Sequence, residues 1–342
     1  MKILFRTDAG TAIGFGHAMR CLALAQAAKD GGNDVRFAMS SIPRSFEKRL
    51  HAEHIDVARI DALAGSDADA GECVEIAKDT DFIVVDGYQL ASAYQTSIRK
   101  SDTPLLFIDD YGHGSPYAAD LILNQNSYAP RHPEWYEDRP ASAQLLLGCA
   151  YTLLRREFRA YDRTHIPGTG KSVLVTMGGG DPKNATLAVM RALRQINDRN
   201  LRVTVVVGGL NPHLAALESD AGEMTVMKDV TDMPSLMARA DLAIAAAGTT
   251  SYELAYMGVP MLLAVLADNQ RPVAEDMVKR NAAALLGDPS AMSVEECSGA
   301  IAALLHSPQK RLLFSENGRA LVDGKGAERI VSAMTDFLSS RG

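Results

Sequence analysis

The sequence predicts an α/β chain: two Rossmann-like, doubly wound domains facing a central cleft. Three observations predict it. Short apolar runs alternate with longer amphipathic stretches, the alternation pauses once in a polar stretch bearing proline and glycine, and it then resumes with a second set of similar length. Buried runs separated by helical stretches mean parallel sheets covered on both faces. At 342 residues, two domains are also the natural partition.

In the first half the strand runs are KILFRT, DVRFAM, DFIVVDG, PLLFIDD and DLILN, with LLLG close behind. Between the first two lies a helical pattern over 17–31, with Met19, Cys21, Leu22, Leu24 and Ala25 at helix spacing. The polar stretch RAYDRTHIPGTGK, with Pro167 and two glycines, reads as a linker. The second half brings SVLVTMGG, RVTVVVGG, MTVMKD, LAIAAAG, PMLLAVL and AALLG, each followed by a helical stretch. The expected division is an N-terminal domain over 1–160, a linker over 161–171 and a C-terminal domain over 172–325. A last helix over 326–342 is expected to cross back to the N-terminal domain. In open sheets of this kind ligands bind beyond the carboxyl ends of the strands.

Composition narrows the function classes. A net charge of −7 argues against non-specific binding to nucleic acid or to anionic membrane, so an anionic ligand needs local donors. No apolar stretch is long enough to span a membrane, and MKILFRTDAG reads as a first strand rather than a signal peptide. Cys21, Cys73, Cys149 and Cys297 are scattered without a C-x-x-C pair, which predicts neither disulfide framework nor zinc site and fits a reducing cytoplasm. No cofactor and no metal ion are expected.

Six segments carry polar chemistry at strand ends. In GTAIGFGHAMR the spacing of Gly10, Gly14 and Gly16 is not G-x-G-x-x-G, and no Walker lysine follows. Gly14 and Gly16 would still bring backbone N–H groups to a ligand at a helix N-terminus. His17 falls near the first helical turn, where the positive end of the helix disfavours imidazolium and leaves a neutral ring able to accept a proton. On position alone, a catalytic imidazole and a solvent-exposed cap residue stand level. VTMGGGDPKNAT places Gly179 in a tight strand-to-helix turn, with Asp181 or Asn184 available as cap. AIAAAGTTSYELAYMGVP opens a helix at Gly248 with Thr249, Thr250 and Ser251, a diphosphate pattern, and puts Glu253 on the first turn for ribose hydroxyls. The next strand delivers Asn269 and Gln270 to the same edge, and the stretch as a whole reads as a nucleotide-sugar site. Tyr88 in VVDGYQL, Asp109 in FIDDYGHG and Asn124 in LILNQN are candidates to line a sugar pocket, against plain capping and turn formation. The adjacent Asp109 and Asp110 alternate faces on a strand, which disfavours a shared metal ion.

Taken in order, MKILFRTDAGTAIGFGHAMRCLALA, DDYGH, LLGCAYTLLRREF, VTMGGGDPKNAT and AAAGTTSYELAYMGVP…DNQ resemble the hydrolases of pseudaminic acid biosynthesis. These are the UDP-2,4-diacetamido-2,4,6-trideoxy-β-L-altropyranose hydrolases. The likeness runs from residue 1 to DGKGAERI near 323–330. It implies the GT-B fold of glycosyltransferases, with the sugar passed to water. It also implies His17 as general base and Gly248, Thr249 and Glu253 as UDP contacts. Ala246-Ala247 precedes Gly248 where related sequences are often more polar or richer in glycine.

On that resemblance the reaction is hydrolysis at the anomeric carbon with inversion, through an oxocarbenium-like transition state. UDP leaves readily, because a terminal phosphate has a second pKa of about 6. The expected partner is a small-molecule UDP-sugar, with neither nucleic acid nor membrane. Two alternatives stand beside it: a GT-B glycosyltransferase using a UDP-amino sugar, and a non-catalytic UDP-sugar binding protein.

Overall fold

The computed structural model describes residues 1–10, 13–161, 168, 170–196 and 198–341. Most of the expected linker therefore lies outside the described residues, as do Thr11 and Ala12 of the first glycine loop. The chain forms two compact units, Met1–Arg156 with Gly324–Gly342, and Glu157–Asp323.

The first unit holds β1 (Lys2–Thr7), β2 (Asp34–Met39), β3 (Asp56–Arg59), β4 (Phe82–Asp86), β5 (Leu105–Ile108), β6 (Leu121–Asn124) and β7 (Gln144–Leu147). They form one parallel sheet in the order β3-β2-β1-β4-β5-β6-β7. Strand alternation sorts its side chains onto two faces. Ile3, Phe5, Phe82, Val84, Leu106 and Ile108 pack with the helix Gly16–Asp30 and with Ala327, Ile330 and Met334 of the helix Gly326–Arg341. Leu4, Ile83, Val85, Leu105 and Phe107 pack on the other face with Cys73, Tyr94 and Ile98. Burying each such large apolar side chain contributes roughly 1.5–3 kcal/mol, which is why these runs lack the polar alternation of a half-exposed strand. β3 is an edge strand with no fully buried residue, and its sequence DVAR carries no apolar run to announce it.

The second unit holds β8 (Ser172–Thr176), β9 (Arg202–Val207), β10 (Thr225–Lys228), β11 (Leu242–Ala246), β12 (Met261–Ala264) and β13 (Ala283–Gly287). They form a parallel sheet ordered β10-β9-β8-β11-β12-β13. One face packs Val173, Val175, Val205 and Ile244 against Val189 and Leu193 of the helix Ala185–Gln195 and Ile301 of the helix Val294–Leu305. The fold class is the one the sequence predicts: α/β, with two Rossmann-like, doubly wound domains.

Both sheets reverse their winding once. In the first unit the chain winds outward through β1, β2 and β3, then returns to lay β4 beside β1. In the second it returns to lay β11 beside β8. Loops leaving two neighbouring strands in opposite directions open a crevice at the strand ends. The loops after β1 and β4, and those after β8 and β11, are where polar residues can meet a ligand.

Candidate functional site

At the first reversal the chain leaves β1 through Asp8, whose carboxylate accepts from Ser40 N (2.8 Å), Ser41 N (2.9 Å) and Ser40 Oγ (3.1 Å). That clamp fixes the exit. Gly10 and Gly14 then pair with each other, Gly14 N donating to Gly10 O at 2.7 Å, and Gly14 has φ +78°, a left-handed conformation that glycine adopts without cost. Gly16 is exposed and opens the helix, which puts His17 in its first turn.

His17 is not a solvent-exposed cap residue. It is 7% exposed, and its Nδ1 lies 2.8 Å from Oδ1 of Asp86, the wholly buried last residue of β4. One turn along the helix, Arg20 forks onto the same carboxylate, Nε to Oδ2 at 2.6 Å and Nη2 to Oδ1 at 2.7 Å. Its far side reaches Asp110, just beyond β5, with Nη1 to Oδ1 at 2.6 Å and Nη2 to Oδ2 at 3.1 Å. Tyr88 donates its hydroxyl to Asp110 Oδ2 at 3.0 Å and stands edge-on to the His17 ring, with centroids 4.6 Å apart.

Burial alone would raise the Asp86 carboxyl, but Arg20 and His17 outweigh it and hold it well below the usual carboxylate range. Asp110 is held down in the same way, burial opposing and Arg20 winning. Both are therefore anions that only accept. Nδ1 of His17 must then carry the proton it shares with Asp86, so that in the neutral ring the lone pair is on Nε2. Among the described residues Nε2 has no hydrogen-bond partner. Cys21 lies with its Sγ 3.5 Å from Asp86 Oδ2; burial and that carboxylate push its thiol far up, so it remains protonated.

Two expected pocket residues have another place. Asp109 is fully buried, with its oxygens accepting from Gly112 N (2.7 Å) and Gly114 N (3.2 Å) and lying 2.9 Å from His113 Nδ1. It shapes the loop after β5, so of the DD pair it is Asp110 that faces the imidazole network. Asn124 is also fully buried. Its amide donates to Asp110 O (2.8 Å) and Tyr136 Oη (2.9 Å), while its Oδ1 accepts from Asn126 N (3.0 Å). Tyr88, at 37% exposed, keeps an open face.

At the second reversal the loop after β8 carries Gly178 at φ +82° and a half-buried Gly179. Asp181 is the helix cap, accepting from Ala185 N (2.8 Å), Thr186 N (2.9 Å) and Thr186 Oγ1 (2.6 Å), whereas Asn184 makes no capping bond. Beyond β11, Gly248 is the N-cap of the helix Thr249–Met257, and Gly248, Thr249 and Thr250 are half-buried. The N–H groups of Thr249 and Thr250 have no intrahelical partner by construction, which suits an anion, whereas Ser251 N donates to Gly248 O at 3.0 Å. Ser251 is fully buried and is no surface contact. Glu253 is the fifth helical residue, so it stands on the second turn rather than the first, half-buried. Asn269 is exposed in the turn Asp268–Gln270, and Gln270 Oε1 closes that turn by accepting from Leu266 N at 2.9 Å.

Sequence reasoning missed Asp86 and Arg20 as site residues. The signal for Arg20 was its i+3 spacing from His17, which puts both on one helix face; for Asp86 it was a carboxylate ending a wholly apolar strand.

Residues 172–329 match the family model described as the glycosyltransferase family 28 C-terminal domain. Among curated proteins, the spore coat polysaccharide biosynthesis protein SpsG of Bacillus subtilis is 25% identical, over 98% of this chain and 98% of its own length. The UDP-2,4-diacetamido-2,4,6-trideoxy-β-L-altropyranose hydrolase of Campylobacter jejuni is 28% identical, over 65% of this chain and 74% of its own. An uncharacterised protein of Methanocaldococcus jannaschii is 25% identical over 82% of this chain, and the match spans 59% of that longer protein. Among solved structures, MurG of Acinetobacter baumannii superposes with a TM-score of 0.66 at 16% identity, covering 98% of this chain and 99% of that one. Anabaena HepE in complex with UDP and glucose gives 0.65 at 16% identity, covering 99% and 100%. At such identities the superpositions speak for the fold, and the fold is GT-B.

Proposed function

We propose that this protein hydrolyses a UDP-linked sugar at its anomeric carbon, with His17 as general base. The single observation that supports it most is the pairing of His17 with Asp86 at the β1/β4 reversal. A carboxylate on Nδ1 presents the Nε2 lone pair outward and steadies the imidazolium formed when that nitrogen takes a proton. Water would attack C1, its proton would pass to Nε2, and the bond from C1 to the UDP oxygen would break with inversion. Tyr88, with Gly14 and Gly16, would contact the sugar. In the second unit Gly179, Gly248, Thr249 and Thr250 would receive the diphosphate. Glu253 would take the ribose, and Asn269 and Gln270 would lie beside them. Backbone N–H groups at the helix start would stabilise the charge growing on UDP.

The finer reading is that the sugar is the 2,4-diacetamido-2,4,6-trideoxy-L-altrose of pseudaminic acid synthesis. The Campylobacter relative's name supports it. Incubation with a panel of UDP-sugars in isotopically labelled water, without any acceptor, tests both levels. Release of UDP with the label on the sugar is expected, fastest for the diacetamido sugar. Label found in UDP would overturn the role of His17, and release only on adding an acceptor would favour a glycosyltransferase.

A further inference from the structure

We propose that Arg20 is a positioning residue that keeps His17 a working base, by taking up the charge of Asp86 before the imidazole can claim it alone. A buried carboxylate with one partner, a histidine, favours imidazolium, and a ring that is already protonated accepts nothing from water. Here the carboxylate is shared. Arg20 grips both oxygens of Asp86 and sets Nη2 3.2 Å from His17 Nδ1, so a fixed cation sits beside the ring and opposes its protonation. Arg20 is 5% exposed, which leaves water little room to screen it.

The other groups facing the ring fit this division. From its own helix comes Arg20, while the protonated thiol of Cys21 lies against Asp86; from the end of β4 comes Asp86; from the loop after β4 comes Tyr88, edge-on. Asp110, beyond β5, is paired with Arg20 and also acts on the ring directly through its charge. One guanidinium against two carboxylates leaves a single negative charge, enough to steady imidazolium transiently without locking it in. Asn126 Nδ2, 3.2 Å from Asp110 Oδ1, and the Tyr88 hydroxyl hold Asp110 in line.

The catalytic consequence rests on His17 being the base, but the electrostatic statement can be measured without substrate. The protonation midpoint of the His17 ring would be followed by NMR in the full chain, its signal identified by its loss in His17→Gln. In Arg20→Gln the midpoint should rise by about one pH unit or more, and in Asp110→Asn it should fall by a similar amount. Arg20→Lys keeps the charge and should stay close to the wild-type value. Should Arg20→Gln fail to fold, Arg20→Met, which keeps the stem and removes the charge, should raise the midpoint in the same way. An unmoved midpoint in the folded variants would overturn the proposal, since a merely structural arginine predicts that result. The acidic limb of kcat/KM should move with the midpoint. A midpoint that moves while the limb stays put would support the hold of Arg20 on the ring and overturn the reading of His17 as the base.

Discussion

His17 and Asp86 are 69 residues apart in sequence and 2.8 Å apart in space, joined because β1 and β4 are neighbours. That pairing carries a sharp expectation. His17→Gln should lose at least about a hundredfold in kcat, the usual worth of a positioned base, while UDP affinity stays within a few-fold. Asp86→Asn should lose a comparable factor, because an amide can donate to Nδ1 and put the proton on the wrong nitrogen. Steady-state rates and UDP titration calorimetry check both; a near-normal rate in either variant would remove the pair from the chemistry. The place of His17 in the first helical turn was legible in the sequence, but on position alone a catalytic ring and a solvent-exposed cap residue stood level, and only its burial against Asp86 separates them. Asp86 and Arg20 were not legible. Their meaning lies in which strands are adjacent, and local pattern says nothing about adjacency. Asp109 and Asp110 make the same point at closer range, since their sequence neighbourhoods are alike and only the loop's hydrogen bonds assign one to structure and the other to the network.

At the scale of elements, the loop after β8 is braced by the loop after β9. A Cβ added at Gly208 would lie 2.5 Å from both Gly179 Cα and Gly179 O and 2.6 Å from Gly178 O, all backbone that cannot step aside. Gly208→Ala should therefore destabilise the second unit by roughly 1–3 kcal/mol, the usual cost of overpacking, and weaken UDP binding by displacing the Gly178–Gly179 turn. Differential scanning calorimetry and UDP titration would read the two effects; unchanged affinity would detach that turn from the nucleotide. The strands themselves were legible wherever both faces are buried, because continuous apolar runs such as FIVVD admit no other reading in this alternation. β3 was not, being short and half-exposed. The helix Thr249–Met257 was legible from Gly248 onward. Its register was not: the helix starts earlier than a first-turn position for the glutamate requires, which leaves Glu253 on the second turn.

For the molecule as a whole, the buried ion pairs link stability to pH. The carboxyls of Asp86 and Asp110 are depressed in the folded state, so the stability they contribute is fully present above their unfolded values of about pH 4. It is lost as pH falls from there through the folded values. Urea midpoints should be level near neutrality and fall steeply below about pH 4, and less steeply in Asp110→Asn. Equal slopes would mean that other groups govern acid unfolding.

The division into two sheets was plain in the sequence from one interruption in a repeating pattern. The return of the final helix was harder to read, because an amphipathic segment does not say which core it serves. Ala327, Ile330 and Met334 of the helix Gly326–Arg341 sit in the core of the first unit, beside Ile3, Phe5 and Phe82. On a ribosome that arrangement reverses the order of completion. The half made first waits, with one face of its sheet only partly covered by the helix Gly16–Asp30, until the whole of the other half has been translated. A stop codon just before Gly326 should thus spare the second unit and ruin the first. Calorimetry of such a truncated chain should keep one unfolding transition and lose the other, with apolar dye binding to what remains; two intact transitions would show the helix to be dispensable.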